Sequence, residues 1–240
     1  HRIGAEVREL ADCVAVRTPG NEGFFWGNCL MIPDTPADGD LAHWLRRFEQ
    51  EVAAGRPGVR HVAIGVNSTP PPAAGGLPSW EAAGFELIET ATLRLQRGGL
   101  RVPPPARATP LALRPAEWPG EVGLFVDLQA ADAQGFEPAG YRRFRQEQMA
   151  RFAQLREQGL GEWFGLWCDG TLVADCGLLL DRSRDGRLGR FQSVLVHPDW
   201  RRRGLCQALV HGVCAWGFEH WGLEELLMCA DPDDVAIGIY

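Results

Sequence analysis

Residues 194–210, VLVHPDWRRRGLCQALV, constrain the fold more than any other part of the chain. An apolar, β-branched run stops at Pro198, which cannot donate to a strand ladder. Arg201, Arg202, Arg203 and Gly204 follow. Beyond them Leu209, Val213 and Trp216 recur at helical spacing. The chain must therefore leave a strand, turn within a few residues and enter an amphipathic helix. The start of a helix leaves backbone N–H groups unpaired and partly positive. Glycine admits a ligand close to the backbone, and arginines add fixed charge and forked donors. Such a turn suits an anion, phosphate above all. The competing reading is a solvated basic turn; a strand before and an amphipathic helix after favour phosphate.

The flanking pattern predicts the sheet around this turn. Residues 111–114 read as a short strand, and residues 141–157 as a helix through Phe144, Met149, Phe152 and Leu155. Asp169-Gly170 between two apolar runs marks a hairpin. Residues 182–187 are turn-like, 188–196 a third strand, 223–230 a further strand after the helix, and 231–240 a loop opening a last helix. Three antiparallel strands, a helix, a strand and a helix make a mixed sheet with a crossover helix, an α/β or α+β arrangement.

Length and composition narrow the partners. A chain of 240 residues suits one large domain or two modest ones. The net charge of −7 argues against a nucleic-acid partner. No apolar run is long enough for a membrane span, and no signal-peptide pattern opens the chain. His1 rather than Met at the start points to a trimmed N-terminus. Seven cysteines without a C-x-x-C pair suggest reduced, buried thiols in a cytoplasmic protein. No His/Cys cluster has metal-site spacing.

Val196-His197-Pro198 followed by Arg201-Arg202-Arg203-Gly204-Leu205-Cys206 resembles motif A of the GNAT (Gcn5-related) N-acetyltransferases, a strand ending in V-x-P, then R/Q-x-x-G-x-G/A, then a helix. Cys206 departs from the pattern, standing where the family has Gly or Ala. The resemblance implies the acyl-CoA N-acyltransferase fold and acetyl-CoA as cosubstrate. It implies that N–H groups of Arg202, Arg203, Gly204, Leu205, Cys206 and Gln207 hold the pyrophosphate, with Arg201 also in the cofactor site. It also implies that the main chain of Leu195 and Val196 pairs with the pantetheine arm as an added strand would.

The family continues with N-x-x-A-x-x-x-Y-x-x-x-G-F. Asp233, Ala236 and Tyr240 stand at the first three of those positions, so the domain is expected to continue past Tyr240. The resemblance aligns Tyr240 with the tyrosine that protonates the departing thiolate in many members. A thiol pKa of about 8.5 against about 10 for a phenol permits that transfer. The alternative for Tyr240 is a core residue with its hydroxyl satisfied elsewhere. The strand RFQSVLV carries no carboxylate. The remaining base candidates are Asp231, otherwise a helix cap, and His197, otherwise a surface residue.

The first half looks like a worn copy of the second. Met31-Ile32-Pro33-Asp34 matches Val196-His197-Pro198-Asp199, a helix-like segment and the strand-like HVAIGV follow, and SWEAAGF parallels Y-x-x-x-G-F with Trp80 in the tyrosine position. Pro33 to Trp80 spans 47 positions and Pro198 to Tyr240 spans 42, spacing that suits an internal repeat. In place of R-x-x-G stand Asp34, Asp38 and Asp40, which repel phosphate and are expected to cap the helix that follows. The alternative is an unrelated α/β domain. Residues 1–97 are therefore expected as a degenerate GNAT-like half, 98–110 (rich in Pro and Gly) as a linker, and 111–240 as the acetyl-CoA-binding domain. The expected activity is acetyl transfer to a primary amine of a small molecule or peptide. Asp127, Asp132 and Glu137 offer a weak hint of a cationic acceptor. The alternative is a non-catalytic acyl-CoA-binding or regulatory module.

Overall fold

The computed structural model of the chain describes residues 5–67, 76–107, 110–133, 135–181 and 186–240. Most of the loop expected at 67–79 and of the turn at 182–187 lies outside them. The chain divides into two compact units between Ile88 and Glu89.

The first unit contains β1 (Glu6–Glu9), β2 (Val14–Arg17), β3 (Cys29–Ile32), α1 (Leu41–Phe48), β4 (Ile64–Val66) and α2 (Pro78–Ala82). Its sheet runs β1-β2-β3-β4, antiparallel as far as β3, with β4 parallel to β3. Leu30, Ile32, Phe48 and Val52 fill the space between sheet and helix.

The second unit contains β5 (Ala91–Gln96), β6 (Leu111–Pro115), α3 (Val122–Ala130), α4 (Pro138–Glu157), β7 (Gly161–Cys168), β8 (Thr171–Asp181), β9 (Leu188–Val196), α5 (Leu205–His220) and β10 (Glu225–Ala230). The sheet order is β5-β10-β9-β8-β7-β6. Strands β7, β8 and β9 are antiparallel, and β10 lies parallel to β9 after the α5 crossover. This is the same pairing sequence as β1-β2-β3, α1 and β4. The last helix expected after residue 231 is a single 3-10 turn, Val235–Gly238, with the Asp234 carboxylate accepting from the Ala236 N–H at 2.8 Å.

The boundary differs from the expected one at residue 97. Residues 91–96 alternate, and Leu93 and Leu95 pack against the core of the second sheet. Their strand pairs with β10 from Ala91↔Ala230 to Gln96↔Glu225. Burying two leucines and gaining a ladder decides which unit the strand joins. Residues 98–107, expected as a linker, likewise belong to the second unit. Arg97 anchors their start through the carbonyls of Leu223 and Phe218.

Helix α5 packs on this sheet through Leu205, Leu209, Val213 and Phe218, against Phe164, Ala174, Leu178 and Leu226. That seam sets where the N-terminus of α5 points. Leu209→Ala should cost about 2–5 kcal/mol and Leu209→Met under about 1.5 kcal/mol in urea unfolding. Equal midpoints for the two variants would contradict the role of Leu209 as a filled position in that seam.

Candidate functional site

The sheet opens where β9 and β10 part. Their parallel pairing runs only from Leu188↔Glu225 to Arg190↔Leu227. Beyond it, the β8–β9 register jumps from Gly177↔Gln192 to Asp175↔Leu195. Two residues of β9, Ser193 and Val194, oppose Cys176 alone, and Ser193 takes φ +51. This is a β-bulge, which bends a strand and ends its pairing. It leaves a cleft of about 190 Å³ lined by Ser193, Val194, Cys229, Asp231, Asp234 and Tyr240, among others. Leu195 and Val196 keep their ladder to β8 but have no strand partner on the cleft side among the described residues.

Past β9 the chain makes a 3-10 turn, Pro198–Trp200, and His197 Nδ1 caps it by accepting from the Asp199 N–H at 3.2 Å. The three arginines then divide their work. Arg201 donates to Asp132 at 2.6 Å and to the Val196 carbonyl at 3.2 Å. Arg203 stacks over Trp200 and donates to the Asp199 carbonyl at 3.1 Å. Arg202 is exposed and joins no hydrogen bond or ion pair among the described residues. Arg202 and Gly204 both take positive φ, +65 and +77. Among the described residues, the N–H groups of residues 202–207 have no acceptor. Consecutive unpaired N–H groups at the start of a 16-residue helix form a concave, positive cradle.

The Cys206 thiol and the Tyr240 hydroxyl influence each other at the cleft, and burial raises the pKa of both groups. Tyr240 therefore holds its proton beside the cleft. Asp231 lines the same cleft, with Oδ1 accepting from the Asp233 N–H at 2.8 Å. His197, spent on its cap, is not among the cleft-lining residues.

The comparisons with known proteins bear on this geometry directly. Residues 125–240 match the Acetyltransferase (GNAT) family. The chain carries a GNAT domain. A search of curated proteins finds no match. Two solved structures superpose on nearly the whole chain. One is a functionally unknown conserved protein from Staphylococcus epidermidis (TM-score 0.75, 11% identity, covering 99% of this chain and 88% of the other). The second is a GCN5-related N-acetyltransferase from Kribbella flavida (TM-score 0.61, 16% identity, covering 98% and 84%). At these identities the likeness concerns the fold.

Within the GNAT domain, the acids suggested for a cationic acceptor are engaged elsewhere. Asp127 pairs with Arg142, and Asp132 with Arg201. Glu137 caps α4, accepting from the Ala139 and Gly140 N–H groups at 2.9 and 2.6 Å, bonds that lower its pKa. In the first unit, the acidic turn does not cap α1 as expected. Asp38 accepts from the N–H and hydroxyl of Ser79 at 2.7 and 2.6 Å, and Asp40 from the Ala37 N–H. Asp38 is thus taken up by the start of α2 and Asp40 by its own turn, so neither serves α1.

One buried acid went unnoticed in the sequence. Asp175 is fully buried on β8, opposite Leu195. Its Oδ2 accepts from Gln129 Nε2 at 2.6 Å and Trp163 Nε1 at 2.9 Å. Its Oδ1 and Gln129 Oε1 are buried without a partner among the described residues. A proton on Oδ1 would make that atom a donor and remove the charge that burial disfavours. Burial pushes this carboxyl up to about 7, against the Gln129 and Trp163 hydrogen bonds. An isolated Asp inside an apolar run was the only available signal, and its partners come from α3 and β7.

Because the folded-state pKa lies above the unfolded value of 3.8, folding favours the protonated acid. Stability is greatest below about pH 4 for this group and is lost as pH rises towards 7. The span is worth on the order of 4 kcal/mol at most. Asp175→Asn, which mimics the protonated acid, should flatten the pH dependence of the urea midpoint between pH 4 and 7. It should also leave the variant more stable than the parent at pH 8. An unchanged slope would show Asp175 to be ionised throughout.

Proposed function

We propose that the protein is an acetyl-CoA-dependent N-acetyltransferase that moves an acetyl group to a primary amine of a small molecule or peptide. The observation that carries this reading is the juxtaposition of the unpaired N–H groups of residues 202–207 with the splayed edge of β9. One suits a pyrophosphate, and the other suits an amide-bearing arm laid down as an extra strand. Membership of the GNAT family supports acyl-CoA as the donor. Cys206 is small, and its N–H has no acceptor among the described residues.

Direct attack in a ternary complex fits the groups at the cleft. Binding donor and amine side by side removes much of the entropic barrier. Tyr240, a phenol protonated at neutral pH that lines the cleft, is proposed to donate to the leaving thiolate. Asp231 is the cleft carboxylate proposed to take the amine proton. The first unit, with the same strand pairing but an acidic turn, is proposed as a degenerate GNAT-like half that binds no acyl-CoA. The cytoplasm suits a chain whose cysteines are free among the described residues.

A second reading rests on the Tyr240–Cys206 contact, which together with burial raises the pKa of the proposed acid and so weakens it as a donor. A module that binds acyl-CoA without turning it over would tolerate that contact. Incubation with acetyl-CoA and a panel of primary amines, following release of free thiol, separates the two. Release above the hydrolytic background supports the enzyme; tight binding without release supports the module. Tyr240→Phe should lower kcat at least tenfold with acetyl-CoA affinity nearly unchanged, since only the hydroxyl is lost. Unaltered kcat would remove Tyr240 from the chemistry.

Calorimetric titration with acetyl-CoA should saturate at one equivalent per chain. Asp34, Asp38 and Asp40 set the opposite sign of charge at the corresponding turn of the first unit. Two equivalents of comparable affinity would overturn the assignment of that unit as a non-binding half.

A further inference from the structure

Residues 103–107, Pro-Pro-Pro-Ala-Arg, do something more specific than connect. Three consecutive prolines have no N–H to donate and hold the chain extended at little entropic cost. The segment therefore cannot join the sheet edge as a strand, and it reaches the arginine turn as a stiff arm. There the Arg107 N–H donates to the Arg203 carbonyl at 2.8 Å. Ala106 packs against the core, and its Cα lies 3.3 Å from where a side-chain carbon on Gly204 would stand. Gly204 thus answers two demands at once, a left-handed backbone and room for the arm. The bond matters electrostatically as well. It ties the Arg203 carbonyl to a donor while the N–H groups of residues 202–207 have no acceptor among the described residues.

The arm ends in a cation. The Arg107 side chain is exposed and has no hydrogen bond or ion pair among the described residues. At the turn itself, Arg201 is held by Asp132 and Val196, and Arg203 by Trp200 and Asp199. Arg202 is the one arginine of the three with no such partner among the described residues. We infer that Arg107 is a second phosphate-binding arginine of the acyl-CoA site, delivered by the proline arm to act with Arg202 on the phosphate groups of the donor. The inference rests on the acyl-CoA reading of the turn. It adds a binding residue from outside the strand–turn–helix segment, and it gives the proline run a role in preorganising the site. A guanidinium fixed through its own backbone to the loop it serves loses less freedom on binding than one on a free loop.

The test uses the intact chain and two probes, CoA and 3′-dephospho-CoA, titrated by calorimetry at several salt concentrations. Arg107→Gln should weaken CoA binding about tenfold, the loss of one charge-assisted phosphate contact. Arg107→Lys should recover part of the loss, and the dependence of affinity on salt should become shallower in Arg107→Gln. The backbone N–H remains in both variants, so the arm keeps its bond to Arg203, and thermal midpoints within about a degree of the parent would verify that. A loss confined to CoA puts Arg107 on the 3′-phosphate, and a loss shared by both probes puts it on the pyrophosphate; either result supports the inference. Parent-like affinity and salt dependence for both probes in Arg107→Gln would overturn it while leaving the acyl-CoA reading intact. Failure of the parent protein to bind either probe would instead overturn the acyl-CoA reading, and this inference with it.

Discussion

The bulge at Ser193 and Val194 is the constraint on which the rest of the second unit turns. With β8 satisfied on one side, an unbulged β9 would continue its parallel ladder to β10 and close the sheet. One extra residue, with Ser193 forced to positive φ, bends β9 away after Arg190. A left-handed backbone at a non-glycine residue costs roughly 1–2 kcal/mol, and the ladder bonds beyond Arg190 are forgone as well. What results is an open strand edge leading straight to the N-terminus of α5. The cleft descends from that one irregularity, and the cradle of N–H groups lies at the end of the strand it opens.

The sheet tolerates this opening because it is secured on either side of it. Strand β5 adds a full six-residue antiparallel ladder to β10, with Leu93 and Leu95 on the core. On the far side β7 and β8 carry the long ladders and the buried layer under α5. Beneath α3, Asp175 ties β8 to Gln129 and β7 through a carboxyl that burial keeps protonated towards neutral pH. A buried ionised carboxylate short of donors would be expensive there. The proton resolves that expense and leaves a polar clamp close to the bulged strand.

Charge around the turn is partitioned between building and binding. Arg201 and Arg203 shape the loop, one through Asp132 and Val196, the other through Trp200 and Asp199. Their contribution to a bound anion is therefore indirect, through the geometry that leaves six N–H groups without an acceptor among the described residues. Arg202 alone of the three, with its inverted backbone, is unengaged among the described residues.

By itself the sequence determined the strand–turn–helix at 188–220, the hairpin at Asp169-Gly170, the α4 helix and the family of the second half. Those features depend on local periodicity, glycine and proline, whose effects act over a few residues. The layout of the first half, with Pro33 before a helix-like segment and a strand-like run after it, was legible for the same reason. Tertiary structure alone decided which sheet residues 91–96 join, because an alternating strand carries no label for its partner. It also decided where the carboxylates go: Asp132 to Arg201, Asp38 to Ser79, Asp175 to Gln129 and Trp163. Hydrogen bonds between residues a dozen or more positions apart depend on how elements pack. The sequence names the charges, and only the fold says which of them are already paired.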